Sequence, residues 1–282
     1  MLKFPQVKPR LLAIDIDGTL LNSSYQLPAP NLRALQQAHE AGVEVVLATG
    51  RRHGFALSIA RQLGFDLWLI SSNGAITRSL SGETFHRGLL PVAAARAVCA
   101  HLDGFRDHMV ITFDAEIKGA LVLERMEVLN GSIRRWLESN LQYINVVRPI
   151  EDALTEDPVQ AMLCGSIERM QQAEAHLAGS AVLDKTTLLK TEYLARDLCI
   201  LDLLNKDCSK GHALRRWAEH RGFDASAVVA IGDNHNDQEM LNFAGLPFIM
   251  GNACVELKQN GWAVAPSNDE CGVAAIVEQV LA

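Results

Sequence analysis

Leu11-Leu12-Ala13-Ile14-Asp15-Ile16-Asp17-Gly18-Thr19 (LLAIDIDGT, 11–19) is a short apolar run that ends in Asp-Gly-Thr, which reads as a buried strand feeding a tight turn. The next element is predicted as a helix from about Ala29 to Ala41, with Leu32, Leu35 and Ala38 at helical spacing and Gly42 as its stop. Val43 to Ala48 is a second strand, followed by a helix from about Gly54 to Leu63. The apolar run Leu67 to Ile70 then closes on Ser71-Ser72-Asn73-Gly74. Strands alternating with helices of this length predict βαβ units and an α/β fold, with a mainly parallel, doubly wound sheet.

The same rhythm returns near the other end of the chain. It predicts helices near Lys210–His220, Asp237–Ala244 and Ala253–Gln259, a closing helix from Cys271, and strands at Ala227–Ile231, Leu246–Met250 and Trp262–Ala265. Between the two ends, amphipathic helices (Pro91–His101, Ile133–Ser139, Glu168–Leu177) mix with strand-like runs (Met109–Phe113, Gly119–Leu123, Ala161–Ile167). The prediction is one core from residues 1–83 and 194–282, interrupted by an inserted α+β domain at 84–193. No internal repeat or low-complexity tract is present.

The chain has 282 residues, 49% hydrophobic and 21% charged, with a formal net charge of −7. That composition excludes disordered, collagenous and disulfide-scaffold classes. An acidic balance also disfavours nucleic acid and anionic membranes as partners. The six cysteines, Cys99, Cys164, Cys199, Cys208, Cys254 and Cys271, form no CxxC pair and read as buried thiols of a reducing compartment. Met1 to Arg10 carries Pro5 and Pro9 without a long apolar stretch, and no run approaches the roughly 18 apolar residues of a membrane helix. The expected location is cytoplasmic.

Three polar segments each follow an apolar strand. In open parallel sheets the ligand crevice lies beyond the carboxyl ends of the strands, so these segments are expected to converge. Asp15 and Asp17, two apart in an extended strand, project to one side; carboxylates that close call for a metal ion or a division into acid and base. Thr49-Gly50-Arg51 offers a hydroxyl and a backbone N–H to a phosphoryl oxygen. Gly232-Asp233-Asn234-His235-Asn236-Asp237 places a hard oxygen ligand, Asp233, at a strand tip. Each segment also has a purely local reading: an Asp-Gly turn, a Thr helix cap, an Asn236 helix cap. Lys210 is a fourth element, a cation at a helix start where the dipole favours anions, which suits a phosphate site or a solvated surface lysine.

With DIDGT at 15–19, ATG at 48–50, Lys210 and GDNHND at 232–237, the sequence resembles the haloacid dehalogenase (HAD) superfamily of aspartate-nucleophile phosphatases. The long stretch from Arg51 to Ser209 resembles the Cof-like branch with a type II cap, and SSNGA at 71–75, MGNA at 250–253 and SNDECGVA at 267–274 are further echoes. The resemblance implies a Rossmann-like core with an inserted α+β cap that sets substrate specificity. It implies Asp15 as nucleophile and Asp17 as acid and base. Mg²⁺ would be held by Asp15, the Asp17 backbone carbonyl and Asp233. The phosphate-binding set would be Ile16, Thr49, Gly50, Lys210 and Asn236, with Asp237, Arg51 and His235 in support.

The expected substrate is a small phosphate ester, such as a sugar phosphate or a cofactor phosphate like pyridoxal phosphate. Phosphoryl transfer to a sugar hydroxyl and a non-catalytic phosphometabolite-binding module are the alternatives. A dinucleotide site is disfavoured because no GxGxxG follows a strand. Arg87, Arg106, His108, Lys118, Arg125 and Lys190 are candidate substrate contacts of the insertion or solvated charges, while Phe105, Phe113 and Trp136 read as its core. Monomer and homodimer both stay open.

Overall fold

The computed structural model describes residues 8–127 and 131–282; of the N-terminal stretch read above, Met1–Val7 lie outside the described residues. In chain order the first elements are β1 (Leu11–Asp15), α1 (Ala29–Glu40), β2 (Glu44–Ala48), α2 (His53–Ala60), β3 (Trp68–Ser71), β4 (Ile76–Ser79) and β5 (Thr84–Arg87). The middle holds α3 (Val92–His101), β6 (Met109–Thr112), β7 (Leu121–Leu123), α4 (Gly131–Glu138), β8 (Ile144–Val146), β9 (Gln160–Gly165), α5 (Ile167–Leu177), β10 (Thr186–Tyr193) and β11 (Leu198–Asn205). The last part comprises α6 (Lys210–His220), β12 (Val228–Gly232), α7 (Gln238–Phe243), β13 (Leu246–Ile249), α8 (Val255–Lys258), β14 (Ala263–Val264) and α9 (Gly272–Leu281).

The chain divides into two compact units, residues 1–87 with 209–282, and residues 88–208. The first unit is built on an eight-stranded sheet in the order β14-β13-β12-β1-β2-β3-β4-β5. The six strands from β14 to β3 are parallel, and β4 and β5 add an antiparallel edge. Along β1 the side chains alternate between faces. Leu12 and Ile14 join the core beneath α1, α2 and α9, whereas Leu11 and Ala13 join that beneath α6 and α7. Burial on both faces explains why the decisive strand is apolar at nearly every position.

The second unit has a six-stranded sheet, β10-β11-β9-β6-β7-β8, antiparallel except for the β7–β8 pair. Phe105 and Phe113 are buried in the cluster that includes residues of α3 and α5, and Trp136 packs against a second cluster with Ile133 and Leu137 of α4. The unit's edges differ from those expected at 84 and 193. Residues 84–87 pair with β4 in the first sheet. Residues 198–205 pair with β10 from Thr186↔Asn205 to Tyr193↔Leu198 and with β9 on the other side, which keeps the chain in the second unit through Cys208. Arg87 therefore belongs to the first unit.

Of the remaining charged candidates of the insertion, Arg106, His108, Arg125 and Lys190 have protein partners, and Lys118 is exposed. Arg106 bonds Glu151, Glu124 and Asp103, Arg125 faces Asp107, and Lys190 lies between Glu174 and Glu192. His108 Nδ1 lies 3.0 Å from the Cys164 carbonyl oxygen. All six cysteines are free thiols. Burial pushes the Cys99 and Cys199 thiols up to about 12 and raises Cys164 as well. No helix among the described residues is long and apolar enough to cross a membrane.

Candidate active site

The parallel register places the ends of β1, β2 and β12 side by side, with Asp15 opposite Ala48 and Ile14 opposite Ile231. The segments that follow these strands meet there, as the strand-end argument requires. Asp15 ends β1 and is buried. Its Oδ1 accepts from Lys210 Nζ at 2.6 Å, and the same ammonium donates to Asp237 Oδ1 at 2.7 Å. Lys210, the first residue of α6, has no exposed surface. Its unfavourable position against the helix dipole is offset by two carboxylates, which excludes the solvated-surface reading. Burial of the ammonium opposes its charge, but Asp15 and Asp237 overcome this and raise its pKa above the ordinary lysine value.

Asp237 is fully buried, and its Oδ2 accepts from the backbone N–H groups of Asp233 and Asn234 at 3.0 and 3.1 Å. It thus fixes both the lysine and the turn carrying Asp233. Asn234 caps the short helical turn from His235 to Asp237, so Asn236 is not the cap. Asn236 Nδ2 instead donates to Asn73 Oδ1 at 2.9 Å. His235 is partly exposed, with Nδ1 3.2 Å from Gln238 Nε2.

Gly18 turns the chain after β1 with φ of 81°, and a Cβ there would collide with the Asp233 carboxylate. Three asparagines hold this turn through its carbonyls: Asn252 donates to Gly18, Asn31 to Leu20 and Asn268 to Leu21, at 2.8–3.0 Å. Asn252 and Asn268 belong to the MGNA and SNDECGVA echoes, which therefore have a local structural purpose. The Ile16 side chain lies in the core, leaving only its backbone for ligand contact. Thr49 is buried, and its Oγ1 accepts from the Arg51 N–H at 3.1 Å, leaving the hydroxyl proton to donate elsewhere. Thr49 does not cap α2, whose N-cap residue is Arg52.

The Asp17 carboxylate accepts two N–H bonds from Arg51, Nε to Oδ2 and Nη2 to Oδ1, each 2.6 Å. This fork engages both oxygens of a carboxylate that is one-fifth exposed. Sequence reasoning placed Arg51 near the site without foreseeing the pair. It also missed Asn73, which is wholly buried and reaches Asn236 from the turn after β3. The available signal was Ser-Ser-Asn-Gly closing an apolar run, since Asn tolerates left-handed backbone.

Asp15, Asp233 and Asp237 each offer a carboxylate oxygen, and these atoms lie within 4.8 Å of one another. Thr19 Oγ1 donates to Asp233 Oδ1 at 3.0 Å. Burial raises the Asp15 carboxyl to about 7, the charges of Asp237 and Asp17 adding to that and Lys210 opposing it. Asp233 is also raised well above its ordinary value, first by burial and then by Asp15 and Asp237. Three carboxylates against one ammonium leave excess negative charge, and a hard divalent cation fits an oxygen donor set of this kind.

Residues 12–277 match the family model of the haloacid dehalogenase-like hydrolases. The chain belongs to that family. Phosphatase YwpJ of Bacillus subtilis is 30% identical over 96% of this chain and 100% of its own length. The HMP-PP phosphatase of Escherichia fergusonii is 31% identical over 88% of this chain and 86% of its own. A haloacid dehalogenase-like hydrolase from Bacteroides thetaiotaomicron superposes with a TM-score of 0.79 at 26% identity, covering 97% of this chain and 100% of that one. The fold also matches the subclass IIB sugar phosphatase BT4131, with a TM-score of 0.76 at 19% identity over 96% and 98% of the two chains. This HAD hydrolase is accordingly an enzyme of the phosphatase class.

Proposed function

We propose that the protein is a Mg²⁺-dependent phosphatase of small phosphorylated metabolites that works through an aspartyl-phosphate on Asp15. The observation carrying this reading is the buried Asp15 carboxylate at a strand end, bonded to Lys210 at 2.6 Å and clustered with Asp233 and Asp237. The names of YwpJ and of the HMP-PP phosphatase support a phosphatase activity.

An oxygen of Asp15 attacks phosphorus in line, forming the acyl-phosphate bond as the ester P–O bond breaks. Asp17 gives its proton to the departing alkoxide. It then takes a proton from the water that attacks the acyl-phosphate, releasing inorganic phosphate and restoring the Asp15 carboxylate. Because the structure pairs Asp17 with Arg51, the acid-base role requires this fork to loosen when substrate arrives. Lys210, the Thr49 hydroxyl, the backbone N–H groups of Gly50 and Ile16, and Asn236 hold the phosphoryl oxygens. Asp15, the Asp17 backbone carbonyl and Asp233 would hold Mg²⁺, which when bound would neutralise charge and polarise a phosphoryl oxygen. Asp237 holds Lys210 and the Asp233 turn in place, while the inserted unit selects the substrate.

Turnover of p-nitrophenyl phosphate with Mg²⁺, followed by a screen of sugar phosphates, nucleotides, pyridoxal phosphate and flavin phosphates, tests this function. Asp15→Asn is expected to lose activity by on the order of 10⁴-fold or more. Normal turnover in that variant would contradict the nucleophile assignment.

A further inference from the structure

Ser72, Asn73 and Gly74, which follow β3, have φ of 48°, 51° and 97°. Left-handed backbone is uncommon outside glycine, and two such residues in a row persist where surrounding contacts over-determine them. Those contacts reach three other segments of the site. Ser72 N–H donates to the Arg51 carbonyl at 2.8 Å, and Asn73 N–H donates to the Thr49 carbonyl at 3.0 Å. Asn73 Oδ1 accepts from Asn236 Nδ2 at 2.9 Å, and a Cβ on Gly50 would approach that same Oδ1 to 3.2 Å. A Cβ on Gly74 would collide with the carbonyl of Ser209, the residue before Lys210.

We propose that Asn73 is a positioning residue of the phosphatase: from its left-handed turn it fixes the Asn236 amide and the Thr49-Gly50 backbone so that their donors converge on the phosphoryl group. The role rests on the phosphatase reading above and adds to it a residue that does not touch the reacting atoms. Asn73 acts through two neighbours. Its backbone N–H sets the path of the chain at Thr49, and its side-chain oxygen orients the amide plane of Asn236. Losing that oxygen leaves Asn236 able to rotate, and small misplacements of a binding group are costly to rate. The buried Asn73–Asn236 bond also explains why the turn carries Asn where a second glycine would satisfy the backbone more easily.

Asn73→Gly is the suitable variant, since glycine accepts the same φ and removes only the amide. It is expected to keep the wild-type fold in circular dichroism. The inhibition constant for inorganic phosphate should rise, and kcat/KM for p-nitrophenyl phosphate should fall, each by about 10- to 100-fold. In a double-mutant cycle, Asn73→Gly combined with Asn236→Ala should lose little beyond Asn236→Ala alone, because both changes remove one interaction. Wild-type constants in Asn73→Gly, or fully additive losses in the double variant, would overturn the positioning role while leaving an active, Asp15-dependent enzyme. A wild-type protein that turns over no phosphate ester would instead overturn the phosphatase reading, and this role with it.

Discussion

At the scale of single residues, the pair most open to test is Asp17 with Arg51. Arginine presents its donors as a rigid fork, and here both arms engage one carboxylate at 2.6 Å. If Asp17 is the acid for the leaving group, its importance grows as that group becomes more basic. Asp17→Asn is expected to lower kcat/KM, which reports formation of the acyl-phosphate, by about 10²- to 10⁴-fold for alkyl phosphates and much less for p-nitrophenyl phosphate, because nitrophenolate departs with little help. Equal losses in kcat/KM across leaving groups would remove Asp17 from the acid role. The meeting of these side chains was partly legible in the sequence. Asp15 and Asp233 are polar residues at the ends of apolar runs, and Lys210 stands against the dipole at a helix start. Arg51 on Asp17 and Asn73 on Asn236 were not legible, because each pair joins loops whose paths depend on tertiary folding.

At the scale of elements, the helices of the first unit fell close to their predicted positions, since each has an apolar stripe bounded by a stop. The hairpin of β10 and β11 was missed, and with it the edge of the second unit. Its turn, Leu194–Arg196 followed by Asp197 at φ of 46°, contains no glycine or proline to announce a reversal. β8 has only three residues, two of them exposed, and gives almost no pattern to read. In this second unit, Arg106 joins segments that the strands leave apart: Glu151 and Glu124 accept from it, and Glu124 also accepts from the Ile150 N–H at 2.9 Å. Hydrogen bonding to Arg106 holds the Glu151 carboxyl below its ordinary value of 4.5, against the cost of burial. A depressed folded pKa gives stability that is present above 4.5 and is lost as pH falls through the folded value. Glu151→Gln should therefore destabilise the protein at pH 7 by about 1–3 kcal/mol and weaken the acid dependence of urea unfolding. An unchanged acid limb would show that the ion pair does not contribute.

At the scale of the whole molecule, the chain carries a net charge of −7 and concentrates three carboxylates around one lysine in the first unit. Such a cluster is costly without a cation, so folding and metal binding should be linked. Mg²⁺ at 100 times its dissociation constant is expected to stabilise that unit by about 2.7 kcal/mol. Three of the four tryptophans, Trp68, Trp217 and Trp262, belong to it, so tryptophan fluorescence during thermal unfolding reports the shift chiefly from this unit. Chelation should reverse the shift, and Asp233→Asn should shrink it; a melting curve indifferent to Mg²⁺ would separate the acidic cluster from metal binding. The βαβ rhythm that returns at the two ends of the chain corresponds to strands of one eight-stranded sheet. The central claim is covalent chemistry at Asp15, and the most direct measurement is acid quenching during turnover followed by peptide mass spectrometry. A phosphoryl group is expected on the peptide containing Asp15 in the wild type and none in Asp15→Asn; a phosphoryl group elsewhere, or its absence from an actively turning-over enzyme, would contradict covalent catalysis at Asp15.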